Sequence, residues 1–256
     1  MYYSNINVNL NNFKEISLND IKKIILLDRI DKKYIFNIVL LPQLLNKVKE
    51  NYFILQANNT KLLTYQTYYY DTNNLLMYYD HHNKKPNRLK IRIREYVDTN
   101  TFYVEVKNKI KGYITSKKRR PIDSPTLSAK LNNFIETYSP FKINELKPTV
   151  NNSFKRIFLV EKNFNERITI DFDLKFYYNN INYSLNNIVI TEIKRDKSKI
   201  NSLLSNILKE YQIRPTSFSK YCMGMIFTQQ TSKYNSFKKT ILLINKLQNY
   251  YGLYNN

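Results

Sequence analysis

The sequence predicts an α+β fold in which one antiparallel sheet is strongly curved or closed into a barrel, with helices packed around it. At least seven strand-like segments are joined by short turns, as in antiparallel barrels. On several strands the charged residues occupy every second position, which gives each strand one charged and one apolar face. The 256 residues fit one large domain. We expect a single domain over residues 1–256, with a core at about 29–227 and helical extensions at both ends.

The first half of the chain alternates between helix and strand signals. Ser17 is a helix N-cap candidate, and Pro42 opens a segment in which Leu44, Leu45 and Val48 have helical spacing. Aromatic or alternating runs bounded by polar turns predict strands. In chain order we predict a helix at 17–29, a strand at 29–38, a helix at 41–52, a strand at 64–72, a helical turn with a polar loop at 73–87, and strands at 88–96 and 101–110.

The second half continues with strands separated by asparagine-rich turns and with further amphipathic helices. The predicted segments are a strand at 113–122, a helix at 126–138, several strands within 152–195, a helix at 198–213 and a helix from 232 to about 251. We assign no element to residues 214–227.

Composition and charge narrow the function classes. The net charge of +21 implies a polyanionic partner such as nucleic acid, an anionic membrane surface or polyphosphate. A single cysteine, Cys222, excludes an intrachain disulfide framework and a cysteine-rich zinc site. Neither an apolar signal core nor a run of the ~20 apolar residues needed to span a bilayer is present. We therefore expect a cytoplasmic protein, whose charge can hold it at an anionic membrane or a membrane partner.

The charged strand faces point to an interior that binds anions. Side chains in a strand alternate between the two faces of a sheet. One face therefore collects the following residues: Arg88, Lys90, Arg92 and Arg94; Glu105, Lys107 and Lys109; Lys117 and Arg119; and Arg167 with Asp171. If the sheet closes, these faces line a water-filled interior. A bound polyanion would offset their mutual repulsion, and guanidinium forks suit phosphate oxygens.

Isolated carboxylates on these basic faces allow two interpretations. A site that only holds anions gains nothing from Glu192, whereas phosphoryl transfer uses a divalent metal that carboxylate oxygens can bind. Alternatively, Glu192 forms an ion pair with a lysine or arginine on a facing strand. The strand pattern alone leaves both interpretations open.

Nine short segments between Asp31 and Met225 resemble, in the same order, segments of a known family. They read KKYIF, YYYDT, RLKIRIREY, FYVEVKNK, TSKKRR, FKRIFL, RITIDFDL, VITEIK and SFSKYCMGM. On these segments the chain resembles the polyphosphate-polymerase domain of the vacuolar transporter chaperone (VTC) family. That family belongs to the triphosphate tunnel metalloenzymes, also called CYTH-like proteins.

The resemblance implies a closed, eight-stranded antiparallel tunnel barrel and a metal-dependent transfer of the ATP γ-phosphate onto polyphosphate. Glu192 matches the metal-binding glutamate, which would hold Mn²⁺ or Mg²⁺. Ser219 and Lys220 match a late motif that contacts the phosphate chain. The matching basic tunnel positions are Lys33, Arg92, Arg94, Lys107, Lys117, Arg156 and Arg167.

The expected mechanism is an in-line phosphoryl transfer in which positioning and charge neutralisation supply the catalysis. The reactants would be ATP and inorganic polyphosphate, phosphate or pyrophosphate. The expected catalytic residues are Arg92, Arg94, Lys107 and Arg167. The expected substrate-binding residues are Lys33, Lys117, Arg119, Arg156, Ser219 and Lys220.

Three other functions remain open at this level. A triphosphatase would use the same tunnel with water as the nucleophile, but acidic residues that could orient water are sparse on the predicted inner faces. A non-catalytic module would bind polyphosphate or inositol phosphates, and the presence of Glu192 argues against it. A protein that binds duplex nucleic acid needs an exposed basic stripe rather than a tunnel, so we expect no specific nucleic-acid partner.

Overall fold

The computed structural model describes residues 2–23, 29–112, 114–198 and 201–249. The helices in these ranges are α1 (Tyr2–Asn11), α2 (Leu18–Lys23), α3 (Leu41–Val48), α4 (Leu76–His82), α5 (Asn132–Tyr138), α6 (Leu203–Glu210), α7 (Lys220–Phe227) and α8 (Lys238–Gln248). The strands are β1 (Lys14–Ile16), β2 (Arg29–Asn37), β3 (Tyr52–Leu55), β4 (Leu63–Thr72), β5 (Arg88–Tyr96), β6 (Thr101–Ile110), β7 (Ile114–Ile122), β8 (Leu146–Glu161), β9 (Glu166–Tyr178), β10 (Ile181–Leu185) and β11 (Ile188–Asp196).

Eight strands form a continuous antiparallel path in the order β2-β11-β9-β8-β4-β5-β6-β7. Strands β1, β3 and β10 extend this sheet beside the path, and only β1 and β3 pair in parallel. The sheet curls, since Lys33 near one end of the path and Thr115 near the other line the same cavity. The α+β class and the curved antiparallel sheet are thus confirmed.

The alternation of residue types in the strands sets the two faces of the sheet. On β5, Ile91 and Ile93 are fully buried on the outer face, and Arg92 and Arg94 point to the inner face. On β9, Ile168 and Ile170 belong to an apolar cluster outside the inner face. The hydrophobic effect therefore places the apolar stripes under the helices and leaves the charged stripes to face one another.

The helices cover the apolar faces. In α3, which has Pro42 in its first turn, Leu41, Leu44, Leu45 and Val48 are all buried. These four side chains pack in one cluster with residues of α1, α6 and strands β2, β8, β9 and β11. No helix in the described ranges has the length and apolar content that a membrane crossing requires.

Helix α7 packs on the inner face of the sheet, in the region to which the sequence assigned no element. Ser219 caps it by accepting a hydrogen bond from the Cys222 backbone N–H at 3.2 Å. Helix and sheet approach closely at Gly224, where an added Cβ would lie 2.7 Å from Val150 Cγ2 and 2.8 Å from Phe176 Cδ1. The first turn of α7 is thereby held next to the charged inner face.

The expectation of a closed barrel is wrong, because the sheet is an open half-barrel. The two ends of the path, β2 and β7, pair with β11 and β6 respectively and form no ladder with each other in the described residues. The free side of β2 is met by a loop, whose Thr216 N–H donates to the Lys33 carbonyl at 2.8 Å. On β7, Pro121 lacks a donor, and the run of cations from Lys117 to Arg120 is exposed, as is typical of edge strands.

The remaining differences from the predicted elements concern short or polar segments. The polar N-terminal residues form α1, and β1 and β3 add a small parallel pair. The predicted helix at 17–29 is observed as α2, with residues 24–28 outside the described ranges. The predicted helix at 126–138 is shorter, with a 3₁₀ turn at 129–131 before α5. The predicted tail helix is observed as α8, with residues 250–256 outside the described part.

Candidate functional site

The inner faces of β5, β6 and β7 carry rows of facing side chains. Because residues paired across antiparallel strands point to the same side, register alone defines these rows. They are Arg88–Lys109–Thr115, Lys90–Lys107–Lys117, Arg92–Glu105–Arg119 and Arg94–Tyr103–Pro121. The basic inner face that the sequence predicts is therefore a single surface with a defined order of charges.

Glu105 organises the third row. Its carboxylate is completely buried, and Oε2 accepts a hydrogen bond from Arg92 Nε at 2.8 Å and lies 2.7 Å from Arg92 Nη2. Lys117 Nζ lies 2.5 Å from Oε1. Burial alone would raise the pKa of Glu105, but Arg92, Arg94 and Lys117 outweigh it and hold the pKa well below its usual range. Glu105 thus stays ionised and fixes the Arg92 guanidinium.

Asp171 plays the same part on β9. It binds Arg156 through two hydrogen bonds, Nε to Oδ1 at 2.6 Å and Nη2 to Oδ2 at 2.8 Å, and it also accepts from Lys220 at the start of α7. Arg156 and Lys220 overcome the effect of burial and lower the pKa of Asp171 to about 2. The bidentate pair fixes the plane of the Arg156 guanidinium.

Aromatic rings lie among these cations. The Tyr65 ring stacks on the Phe154 ring with centroids 5.3 Å apart and an interplanar angle of 4°. The guanidinium carbons of Arg94 and Arg156 lie 5.6 Å and 4.9 Å from the Tyr65 centroid. We call the group of Arg92, Arg94, Glu105, Arg156 and Asp171, with these two rings, the arginine cluster.

A second group of charges, the lysine cluster, consists of Lys33, Lys90, Lys107, Lys194 and Glu192. Glu192 Oε1 lies 2.5 Å from Lys33 Nζ, and its Oε2 lies 3.3 Å from Lys194 Nζ. Lys90 Nζ donates to Ser219 Oγ at 3.1 Å, which ties β5 to the start of α7. Four of the five residues, all but Lys194, line a cavity of about 700 Å³.

Enclosure changes the ionisation of the lysines. Burial lowers the pKa of Lys107 to about 7, and the charges of Lys90 and Arg92 act in the same direction. Burial likewise lowers the pKa of Lys90 to about 8. For Glu192, burial would raise the pKa, but Lys194 and Lys33 hold it well below the usual range. The cavity therefore combines an ionised carboxylate with lysines whose charge depends on pH near neutrality.

Glu192 fits only one kind of metal site. Within the described residues no group of three or more histidine, cysteine, aspartate or glutamate side chains is placed to hold an ion, so a cage made by the protein alone does not fit. Mg²⁺ is commonly bound through one or two carboxylates, with substrate phosphates and water as the other ligands. The ionised Glu192 carboxylate, beside a cavity that can accommodate phosphate groups, is compatible with that arrangement. The metal ion would then compete with Lys33 and Lys194 for this carboxylate.

By register the predicted strand residues of the site all lie on this inner surface, but Arg167 and Arg119 have neighbours other than the carboxylates that fix Arg92 and Arg156. Arg167 pairs with Lys194 on β11. Burial lowers the pKa of Arg167, and the charged groups that act on this pKa are Arg29 and Asp31 rather than those of the arginine cluster. Arg119 lies on the exposed edge strand β7, with its guanidinium carbon 5.0 Å from the Tyr103 centroid. Arg167 therefore has different neighbours from Arg92 and Arg94, and the catalytic role expected for it stays a prediction.

Sequence reasoning left several inner residues without a role. Asp171 and Lys90 lie on charged strand faces in the sequence pattern, but the pairing of Asp171 with Arg156 follows only from the register of β8 with β9, and that of Lys90 with Ser219 only from the position of α7. Tyr65 gave no signal beyond strand propensity. His81, in α4, lines the cavity, and burial with the surrounding cations lowers its pKa to about 2, so that it remains neutral.

Comparison with known proteins gives one sequence match and several weak structural likenesses. The family model described as the VTC domain matches residues 28–228. No curated protein sequence matches the chain. A provisionally assigned adenylate cyclase from Bacillus halodurans is similar in structure at 12% identity, with a TM-score of 0.49, over 75% of this chain and 94% of that one. A provisionally assigned adenylyl cyclase from Hippeastrum, with a dominant triphosphatase activity, gives 13% identity and a TM-score of 0.49 over 77% of this chain and 94% of that one.

Proposed function

We propose, because the chain belongs to the VTC domain family, that it is a metal-dependent polyphosphate polymerase that transfers the γ-phosphate of ATP onto a polyphosphate chain. The observation that best supports this proposal is the arrangement of the inner face. Two guanidinium groups fixed by buried carboxylates stand beside a lysine-lined cavity that holds the ionised Glu192.

In this proposal the arginine cluster orients the phosphoryl group that is transferred. Arg92 and Arg94 are two residues apart on β5, so that they point to the same side at about 7 Å spacing along the strand. That spacing suits successive phosphate units of one chain. Arg156 faces them across β4, with its plane fixed by Asp171. Positioning and electrostatic stabilisation of this kind supply most of the catalysis in phosphoryl transfer.

The lysine cluster would neutralise the remaining phosphate charge. Lys33, Lys90 and Lys107 line the cavity, and Ser219 with Lys220 brings the start of α7 to its wall. Glu192 would hold Mn²⁺ or Mg²⁺, which when bound supplies positive charge between phosphate oxygens. The attacking phosphate oxygen is already anionic, so that no protein side chain has to remove a proton from it.

A triphosphatase is the second candidate, because the inner face carries three carboxylates that a hydrolase could use to orient water, Glu105, Asp171 and Glu192. Glu105 and Asp171 are both buried there together with Glu192 on the cavity wall. Both are held by cations, Glu105 by Arg92 and Lys117 and Asp171 by Arg156 and Lys220, which leaves little capacity to orient water. The polymerase is therefore the better-supported function.

One assay separates these candidates. The purified protein is incubated with ATP and Mn²⁺, and the products are resolved on a gel that detects polyphosphate, with released phosphate measured in parallel. A ladder of polyphosphate that grows with time supports the polymerase. Release of phosphate in amounts equal to the ATP consumed, without polymer, identifies a triphosphatase. Binding of polyphosphate with neither product identifies a non-catalytic module.

A further inference from the structure

We propose that Tyr65 is a positioning residue, whose ring holds the guanidinium groups of Arg94 and Arg156 in the orientation needed to bind phosphate. The inference rests on the proposed function in one respect, since it takes these two arginines as phosphate ligands. It assigns a role to an aromatic residue that contacts the two phosphate-binding arginines rather than the substrate itself.

The position of Tyr65 in the sheet allows it to serve both arginines. It lies on β4, between β5, which carries Arg94, and β8, which carries Arg156. Its direct partner on β8 is Phe154, and the two rings stack with an interplanar angle of 4°. The guanidinium carbons of Arg94 and Arg156 lie 5.6 Å and 4.9 Å from the Tyr65 centroid. One buried ring thus contacts arginines from both neighbouring strands.

Arg94 depends on this contact more than the other arginines do. Arg92 and Arg156 are bound by Glu105 and Asp171, whereas no ion pair joins Arg94 to a carboxylate in the described part of the chain. Arg94 is also buried, with 9% of its surface exposed, and its Nε has no hydrogen-bond partner there. The ring of Tyr65 is therefore a direct contact that favours a charged Arg94, in addition to the nearby charge of Glu105.

The physical basis is the attraction between a cation and the face of an aromatic ring. Such contacts contribute about 0.5–1 kcal/mol at exposed sites and about 2 kcal/mol when desolvated. Burial raises the pKa of Tyr65, so that its phenol stays neutral and does not itself act as a counter-ion. Stacking on Phe154 fixes the ring plane, and a fixed plane fixes where a guanidinium can lie over it.

The test uses three variants and a binding measurement that requires no turnover. Tyr65→Leu removes the ring, and Tyr65→Phe keeps it. Tyr70→Leu is the matched control, because Tyr70 is on the same strand, is buried to a similar extent and pairs with Ile91 on the outer face. We expect tripolyphosphate affinity, measured by calorimetry without metal, to fall about 30-fold in Tyr65→Leu, as loss of one desolvated contact predicts, and to change less than about 3-fold in the other two.

A spectroscopic readout separates orientation from stability. In protein with ¹⁵N-labelled arginine, the Nε–H signals of Arg94 and Arg156 should carry a ring-current shift that disappears in Tyr65→Leu and persists in Tyr65→Phe and Tyr70→Leu. Equal affinity losses in Tyr65→Leu and Tyr70→Leu, or unchanged arginine signals in Tyr65→Leu, would overturn the inference. If the unmodified protein fails to bind tripolyphosphate, the proposed function fails, and the arginine signals alone decide whether Tyr65 orients these groups.

Discussion

The arginine cluster and the lysine cluster bind charge in different ways, although both lie on the inner face of one sheet. In the arginine cluster, two carboxylates that are almost completely buried fix Arg92 and Arg156 through hydrogen bonds and ion-pair contacts. In the lysine cluster, the half-buried Glu192 stands among lysines that line an open cavity. The arginine cluster therefore presents guanidinium groups in fixed orientations, whereas the lysine cluster presents ammonium groups whose protonation changes with pH near neutrality.

This difference suggests a division of work between the two regions. Guanidinium groups are planar, stay ionised and present a rigid fork, whereas an ammonium is a point charge whose pKa shifts readily on burial. In the proposed polymerase, orientation would matter most at the transferred phosphoryl group, and charge would matter along the rest of the bound chain. The four predictions below test this division, in order of decreasing effect.

Replacement of Glu192 should have the largest effect. We expect Glu192→Gln to reduce metal-dependent turnover about 1000-fold, because it removes the cavity carboxylate that is proposed to hold the divalent ion. Affinity for tripolyphosphate without metal should not fall, since Lys33 and Lys194 lose their counter-ion. Turnover is measured over a range of Mn²⁺ concentrations, and binding by calorimetry.

The matched control is Glu95→Gln, which changes a carboxylate on β5 that accepts from the Tyr68 hydroxyl on the outer face. It should leave both quantities unchanged. Near-normal activity of Glu192→Gln at saturating Mn²⁺ would remove Glu192 from the metal site.

Arg94→Lys tests orientation directly. The substitution keeps the charge but loses the planar fork, so that kcat should fall about 10- to 100-fold, while the retained charge limits the loss of apparent affinity for ATP. Lys111→Ala, in the exposed turn between β6 and β7, should change neither. Both variants are assayed for polyphosphate synthesis at two salt concentrations. Equal losses that salt suppresses in both would mean that bulk positive charge, rather than the arrangement of the arginine cluster, explains binding.

Lys107 should make anion binding depend on pH. Its pKa of about 7 means that it is mostly charged at pH 6 and mostly neutral at pH 8. A bound polyanion favours the charged form, so that affinity is highest below pH 7 and falls about 10-fold between pH 6 and pH 8 through this group. Lys107→Arg should remove that part of the pH dependence.

The measurement is the ratio of tripolyphosphate affinities of the two proteins at each pH, in which the ligand's own ionisation cancels. A constant ratio from pH 6 to pH 8 would contradict the role of Lys107. It would also weaken the distinction between lysines whose charge varies with pH and arginines that stay charged.

The smallest effect is expected for Lys118→Ala on the outward-facing side of β7. Lys118 is exposed and its Nζ lies 5.6 Å from the Tyr138 centroid, outside both clusters. Exposed charges are screened, so the affinity for tripolyphosphate should change less than about 2-fold at 0.15 M salt. A loss of affinity as large as that expected for Tyr65→Leu would show that the inner face has no special role.

The sequence predicted those features that depend on local pattern. Alternation on β5 and β6 placed Arg92, Arg94, Glu105 and Lys107 on one face, and proline with apolar spacing predicted α3. The family was identified from short segments spread over the chain, and the family model confirms it. Each of these inferences uses residues that are near in sequence, where periodicity is a strong signal.

The features that were missed depend on how distant segments meet. Whether β2 and β7 join is decided by a loop at Thr216 and by the edge character of β7, which alternation does not encode. The pairing of Asp171 with Arg156 and Lys220 requires the register of β8 with β9 and the presence of α7. For the same reason Arg167 matched a motif although its surroundings differ from those of Arg92.

Helix α7 makes two contacts with the sheet that depend on each other, one through a charged residue and one through a glycine. Its first residue, Lys220, binds Asp171, while Gly224, one turn later, touches Val150 and Phe176 without room for a methyl group. A larger residue at position 224 would push the helix away from the sheet and carry Lys220 with it. Substitution of Gly224 is therefore constrained by the position that Lys220 must keep one turn away. A variant at position 224 that is selected only for solubility or expression would therefore alter the proposed site, although residue 224 itself lies outside that site.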